Sequence, residues 1–353
     1  MSKIILYAPN VHVGGGRVLL ENILEAWPED CPFHGFLDSR AVNLPIPFNS
    51  FISWVNASVI SRFTSDYRLS RYAREGDVVI CFNNLPPLFK CPGKIVVYMQ
   101  NRNLIEAISL REFAAFTALR LVFERLVARL FRYRVSEYIV QTPSCKRCLA
   151  SWYANLSSNK NPIISVIPFV KPLQFAGTPS SNDFVVNWDF VYVADGLGQK
   201  NHKRLFDAWL HLAGEGIFPL LALTLCETET ELLHIVDSMK RQGIKVENLG
   251  RLTHQEIVNV YQHSGALIYP SIRESFGLPL VEASQLDLPI LASELDYVYD
   301  VCKPVDTFDP NSARSIARAV KRHLNVIEKL PKVNSPEGFL DQIFAMVNKD
   351  VVE

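Results

Sequence analysis

The chain predicts two α/β units, each built on a parallel sheet. Short apolar runs of strand length alternate with amphipathic helical stretches along both halves. Its 353 residues exceed what one ordinary core organises. Between the two alternating series lies 168–186, with Pro168, Pro172 and Gly177-Thr178-Pro179-Ser180-Ser181-Asn182-Asp183, a linker composition.

Lys3-Ile4-Ile5-Leu6-Tyr7-Ala8-Pro9 is too short and too quickly polar for a secretion signal, and reads as a buried first strand. Further strands are predicted at 33–37, 78–82, 94–99 and 137–141, with a helix at 16–26. In the second half strands are predicted at 189–194, 218–225, 246–249, 266–269 and 289–292. Helices are predicted there at 201–213, 228–241, 254–263, 279–286 and 311–328. The domains are expected at 1–170 and 186–335, joined by a linker over 171–185, with a last helix in 336–353.

Apolar residues make up 48% of the chain, enough for two cores, yet no run approaches the roughly 20 apolar residues of a membrane span. Seven cysteines, an odd and scattered set, suggest reduced thiols and a cytoplasmic protein. Cys145 and Cys148 form a lone C-x-x-C without a second pair, which reads as helix packing. The net charge of zero hides an asymmetry: residues 1–170 hold 19 Lys and Arg against 12 Asp and Glu, and the remainder reverses it. That balance suggests an anionic partner for the first half, and nucleic acid is not expected. Arg111, Arg120, Arg125, Arg129, Arg132 and Arg134 lie on a helical stretch, 111–134, rich in Leu, Val and Phe. Two readings stand: a basic amphipathic surface for anionic lipid, or a domain helix with its arginines in water.

Three segments carry chemistry. In Pro270-Ser271-Ile272-Arg273-Glu274-Ser275-Phe276-Gly277-Leu278-Pro279-Leu280-Val281-Glu282-Ala283, two carboxylates flank a Gly-Leu-Pro turn between a predicted strand and helix. Loops at strand C-termini bind ligands in open α/β sheets, and carboxylates grip paired hydroxyls, so a sugar or ribose is indicated. The bland alternative leaves Glu282 at an exposed helix start and Glu274 in solvent. Gly14-Gly15-Gly16 opens the first helix, where backbone amides and the helix dipole suit an anion. No Gly-Lys-Ser/Thr follows, so this is no P-loop. Gly196-Leu197-Gly198-Gln199-Lys200-Asn201-His202-Lys203-Arg204-Leu205 opens a second helix in the same way and adds a cation.

The P-S-x-x-E-S-F-G-L-P-L-V-E-A series resembles the donor-site motif of retaining nucleotide-sugar glycosyltransferases of family 4, of the bacterial surface-polysaccharide type. The likeness extends upstream through Leu249-Gly250-Arg251-Leu252-Thr253-His254-Gln255-Glu256 and downstream through Leu288-Pro289-Ile290-Leu291-Ala292-Ser293 to Phe308-Asp309-Pro310. It implies the GT-B fold, two Rossmann-like domains facing across a cleft, with 336–353 crossing back onto the first. It also implies roles. Glu282 would hold the ribose and Glu274 the donor sugar. Ser275, Phe276, Gly277 and Leu278 would present the turn's groups, its backbone amides above all. Lys200, with Asn201 beside it, would hold the diphosphate. Arg251 and Leu252 would border the base, and Gly14, Gly15 and Gly16 would face the cleft near the phosphates.

Two positions depart from the family pattern. Asp195 stands where an arginine is common. Gln100, in Val97-Tyr98-Met99-Gln100-Asn101-Arg102-Asn103, stands where many relatives place a histidine. A glutamine hydrogen-bonds a hydroxyl but moves no proton near neutral pH. In the front-face mechanism the departing phosphate takes the acceptor proton, so catalysis rests on Lys200, Glu274 and Gln100 and on backbone dipoles, without metal or other cofactor. The implied partners are a nucleotide-sugar donor and a glycan or lipid-linked acceptor, met in the cytoplasm at the inner membrane face. Two rivals stand. An NAD-dependent oxidoreductase would use Gly14-Gly15-Gly16 with Asp38, near the spacing of a ribose-gripping acid. A degenerate transferase acting as an assembly scaffold would explain Asp195 and Gln100.

Overall fold

The protein is described by a computed structural model over residues 3–106, 115–156, 162–171 and 186–326. The linker 172–185, the last helix 336–353 and Arg111 lie outside the described residues. In the first half the strands are β1 (Ile4–Ala8), β2 (Phe33–Asp38), β3 (Ser50–Val55), β4 (Val78–Cys81), β5 (Lys94–Tyr98), β6 (Glu137–Val140) and β7 (Ile163–Val166). They form one sheet in the order β3-β2-β1-β4-β5-β6-β7. In the second half β8 (Trp188–Tyr192), β9 (Leu221–Leu223), β10 (Val246–Asn248), β11 (Ser264–Tyr269), β12 (Ile290–Ser293) and β13 (Asp306–Phe308) form another, ordered β10-β9-β8-β11-β12-β13. Every pairing in both is parallel.

Ten helices connect the described strands: α1 (Gly14–Glu25), α2 (Val59–Tyr72), α3 (Ala115–Phe131), α4 (Pro143–Ala154), α5 (His202–Gly214), α6 (Thr230–Arg241), α7 (His254–Gln262), α8 (Leu278–Gln285), α9 (Asp296–Tyr299) and α10 (Ala313–His323). The central strands are buried throughout, as in Ile5 to Ala8 and Ala266 to Tyr269, because helices cover both faces. Apolar clusters line the two faces of the first sheet, and a single larger one fills the second half. The fold is therefore two doubly wound Rossmann-like units, as expected.

Three strands escape the sequence reading, β3, β7 and β13, and all three are edge strands. An edge strand is covered less completely, so Ser50–Val55 and Ile163–Val166 show no unbroken buried run. Each sheet reverses direction beside its first strand, between β1 and β4 and between β8 and β11. Crevices for ligands open at such reversals, outside the strand C-termini. The loops after β1, β8 and β11 are the three segments singled out above.

The halves meet through the loop that leaves β11. The Thr142 hydroxyl and the Cys145 thiol both donate to the Ser275 carbonyl, at 3.1 and 3.2 Å. Arg102 donates to the Glu274 carbonyl at 3.0 Å, and the Ser275 hydroxyl donates to the Gln100 carbonyl. Two further contacts tie α4 to α9 and its end, Ser144 N to Asp300 at 2.9 Å and Arg147 to Asp296 at 3.0 Å. Pro143 at the first turn of α4, with Thr142 capping it, aims that helix start at Ser275.

Candidate functional site

Glu274 is the hub. One carboxylate oxygen receives the Lys200 ammonium at 2.6 Å, the Ser271 hydroxyl at 2.7 Å and the Tyr269 hydroxyl at 3.0 Å. Tyr269 ends β11, so the acceptor lies at the strand's C-terminal end. The Lys200 and Glu274 side chains are only 16% and 12% exposed. Burial pulls the Lys200 amine down, but Glu274 and Asp195 together hold it above its ordinary value. A buried ion pair adds little net stability over apolar packing. Its place at a crevice marks it as a candidate for function.

The turn Gly198–Lys200 is fixed from several sides. Tyr192 donates to the Lys200 carbonyl at 2.7 Å, and Ile272 N donates to the Gln199 carbonyl at 2.9 Å. Asn201 takes a left-handed φ of 62° and its amide donates to the carbonyls of Pro270 (3.1 Å) and Pro310 (2.8 Å). Asn201 thus ties its turn to the chain leaving β11 and β13, which sets where Lys200 points. His202 packs against Tyr192, and burial with Lys200 nearby pulls it down to about 3, so it stays neutral.

Glu282 lies in α8 and is 6% exposed, which excludes the reading of a solvent-facing helix start. Tyr261 donates to one oxygen at 3.2 Å, and His254 Nδ1 stands 3.6 Å from the other. Burial raises the Glu282 carboxyl, with His254 and Tyr261 opposing. Arg251 is exposed and Leu252 half-buried on the connection that leads to His254. That connection is pinned by a capping box between Thr253 and Glu256.

The first glycine segment comes to the same place. Gly14, with φ +66°, and Gly15 are exposed at the start of α1, which has no side-chain cap. A Cβ on Gly15 would lie 3.3 Å from Leu278 Cδ1, and one on Gly16 would lie 3.2 Å from Gln100 Oε1. Small residues thus let the uncapped amides of α1 approach α8 of the other half. Gly277, in the left-handed region at φ 73°, caps α8 without a side-chain bond. Phe276 is buried at that turn, beside Ser275 on its cross-half contacts. The Gln100 amide donates to the Phe82 carbonyl at 3.2 Å, which holds the side chain at the cleft.

One expectation needs correction. The second glycine loop does not offer all its amides to an anion: Gly196 N donates to Glu229, whose other oxygen accepts Cys226 N at 2.6 Å. A Cβ on Gly196 would lie 2.6 Å from Glu229 Oε1, so the glycine serves this contact. In the loop after β11, Arg273 pairs with Glu106 of the other half at 3.2 Å. Lys203 and Arg204 point to solvent, paired with Glu231 at 2.5 Å and Asp207 at 3.4 Å, so neither replaces the cation absent at Asp195. Burial raises the Asp195 carboxyl, Lys200 opposes, and Glu274 and Glu229 lift it further.

Sequence reasoning missed Arg102, Thr142, Ser271, Tyr269 and His254. Ser271, His254 and Arg102 carried a signal, since all three lie inside the quoted segments. Arg102 and Thr142 reach the site from more than 130 residues away in the chain.

Comparison with known proteins agrees with this geometry. Residues 181–333 match the family model described as glycosyl transferases group 1. An O-antigen chain mannosyltransferase of Salmonella typhimurium, RfbU, is 32% identical over 88 residues, 25% of this chain and 24% of the relative. O-antigen chain mannosyltransferase B of Escherichia coli is 25% identical over 138 residues, 38% of this chain and 36% of the relative. The chain thus spans well under half the length of these curated relatives. Among solved structures, Anabaena Alr3699/HepE in complex with UDP-glucose superposes with a TM-score of 0.64 at 14% identity, covering 92% of this chain and 90% of that one. The apo lipopolysaccharide outer core galactosyltransferase WaaB gives 0.56 at 15% identity, over 92% and 90%. Residues 181–333 are therefore similar to the glycosyl transferases group 1 family, within a chain of GT-B fold.

Proposed function

We propose that this protein is a retaining, metal-independent glycosyltransferase. It moves a sugar from a UDP- or GDP-linked donor to a glycan or lipid-linked acceptor in bacterial surface polysaccharide synthesis. The observation that carries the reading is the buried Lys200–Glu274 pair at the end of β11, in a domain matching the group 1 family. The O-antigen relatives support the acceptor class, and the UDP-glucose complex of the Anabaena protein supports the donor class.

On this reading residues 1–170 form the acceptor side and 186–335 the donor side. Lys200 and the uncapped start of α1 stabilise the leaving diphosphate. Glu274 orients the donor sugar, and keeps Tyr269 and Ser271 as partners when Lys200 turns to phosphate. Glu282 grips the ribose. Gln100 orients a hydroxyl, while the leaving oxygen takes the acceptor proton. Closure of the halves excludes water and favours transfer over hydrolysis. The protein works at the cytoplasmic membrane face, held there by α3. That helix turns Leu119, Val122, Phe123, Leu126 and Leu130 outward, and no helix among the described residues is long and apolar enough to cross a membrane.

The oxidoreductase rival loses its support, because Arg40 and Asn10 N occupy both oxygens of buried Asp38. The scaffold rival keeps one observation, the carboxylates Asp195 and Glu229 around the Lys200 loop. Thermal unfolding with UDP, GDP, NAD and buffer alone decides among them. A ligand at a hundredfold its Kd stabilises by about 2.7 kcal/mol. A shift with UDP or GDP, lost in Lys200→Ala, supports transfer. A shift with NAD alone, or with none of the three, counts against it.

A further inference from the structure

Two residues of α7 reach one carboxylate of α8. His254 and Tyr261 lie seven positions apart, about two turns along one face of α7. Helical side chains lean toward the N-terminus of their helix, so the Tyr261 hydroxyl reaches back toward the turn that His254 opens. That hydroxyl donates to Glu282 Oε2 at 3.2 Å, and His254 Nδ1 stands 3.6 Å from Oε1. The second distance is too long for a hydrogen bond. Among the described residues Oε1 therefore accepts no hydrogen bond, although the Glu282 side chain is only 8% exposed. A carboxylate buried to that degree and left with one neutral donor lacks the partners its charge requires. Its open oxygen faces an imidazole that is itself 51% exposed, at the rim rather than in the core.

The fold does not require this imidazole. The start of α7 is fixed by the capping box between Thr253 and Glu256, in which the His254 side chain takes no part. The chain leaves β10, turns at Gly250 with φ +75°, and so sets His254 beyond the strand C-termini, where α8 also begins. Oε1 is an acceptor, and Nδ1 is a donor in the tautomer that carries its proton there. A hydroxyl oxygen can stand about 2.8 Å from both, donating to the carboxylate while accepting from the imidazole. We propose that His254 is a further nucleotide-binding residue, which together with Glu282 holds one hydroxyl of the ribose and discriminates against deoxyribose. The inference rests on the transferase reading and deepens it, by adding the residue that decides which pentose is admitted. Glu282 alone supplies only acceptors, whereas the pair offers a donor and an acceptor to the same oxygen.

The experiment titrates UDP and GDP, each beside its 2′-deoxy and 3′-deoxy forms, into the full chain by calorimetry. The proteins are wild type, His254→Ala, Glu282→Gln, the double variant and Lys200→Ala. His254→Ala should fold, since the side chain is half-exposed and lies outside the capping box. In wild type, loss of the shared hydroxyl should weaken binding by about tenfold or more, because it leaves a buried carboxylate unpaired. In His254→Ala the ribonucleotide should bind roughly three- to tenfold more weakly, and the penalty for the missing hydroxyl should shrink by the same factor. His254→Asn, whose amide N–H falls near the place of Nδ1, should recover part of that discrimination. Equal deoxy penalties in wild type and His254→Ala overturn the proposal. Equal penalties in Glu282→Gln and the double variant also overturn it, by reducing His254 to a support for the carboxylate. Nucleotide binding lost in Lys200→Ala yet indifferent to His254 refutes the contact and leaves the donor reading standing. Binding of neither UDP nor GDP to wild type sinks that reading and this inference with it.

Discussion

In the second half, Lys200, Glu274 and Glu282 turn their charged atoms inward, each with named partners. In the first half, Arg120 and Arg129 on α3 look outward beside Leu119, Phe123 and Leu130. The sheets are wound alike, so the fold does not account for this contrast. Among the described residues, twenty exposed large apolar side chains belong to the first half and seven to the second. Buried charge costs desolvation and is tolerated where a ligand repays it, whereas exposed apolar surface is tolerated where something covers it. On the proposed reading, the second half is built around a small polar ligand and the first half around a surface.

Breaking the inward charge should have the largest effect. Removing a cation that stabilises a leaving diphosphate costs about 10²–10³ in turnover. Lys200→Ala should therefore lower sugar transfer by that order, and should weaken nucleoside diphosphate far more than nucleoside. Glu274 retains Tyr269 and Ser271, so the variant should fold. Equal loss of the two ligands in calorimetric titration would remove the phosphate role.

The outward surface gives the next effect. Burying a large apolar side chain is worth about 1.5–3 kcal/mol. Phe123→Glu, at a side chain 62% exposed, should weaken partition onto anionic vesicles by roughly tenfold or more and leave the thermal midpoint nearly unchanged. Wild-type binding should fall with salt, because the arginines of α3 contribute through screened charge. Salt-insensitive or absent sedimentation with vesicles would sink the membrane role.

The same contrast governed what could be read in the chain. Central strands announce themselves because both faces are buried, as in Ile5 to Ala8; Ser50–Val55 is an edge and does not. The clustered residues Lys200, Glu274 and Glu282 drew notice because a few contiguous segments carry them. The inward turn of Glu282 was not, since helix register alone left both faces open; the contact with Tyr261 settles it. Gly196 looked like an anion loop, and only the fold brings Glu229 to its amide. Likewise the docking of Ser275 on Thr142, Cys145 and Gln100 joins segments that no local pattern connects.

Glu282 sharpens the comparison most finely, because burial and function pull its titration in opposite directions. Its carboxyl is raised by burial above the ordinary glutamate value of about 4.3. Between that value and the raised one, the native state binds more protons than the unfolded chain. Stability of the unliganded protein from this group therefore falls as pH rises through the window, and the loss is complete above the raised pKa. Ribose binding needs the ionised carboxylate, so donor affinity should rise over the same window. A charged hydrogen bond is worth about 1.5–3 kcal/mol, so Glu282→Gln should weaken UDP or GDP by roughly tenfold or more at neutral pH. It should also flatten this group's share of both trends. Thermal midpoints and nucleotide titrations from pH of about 4 to 8 read them separately. Parallel pH trends in wild type and Glu282→Gln would show that the buried carboxylate does not hold the donor.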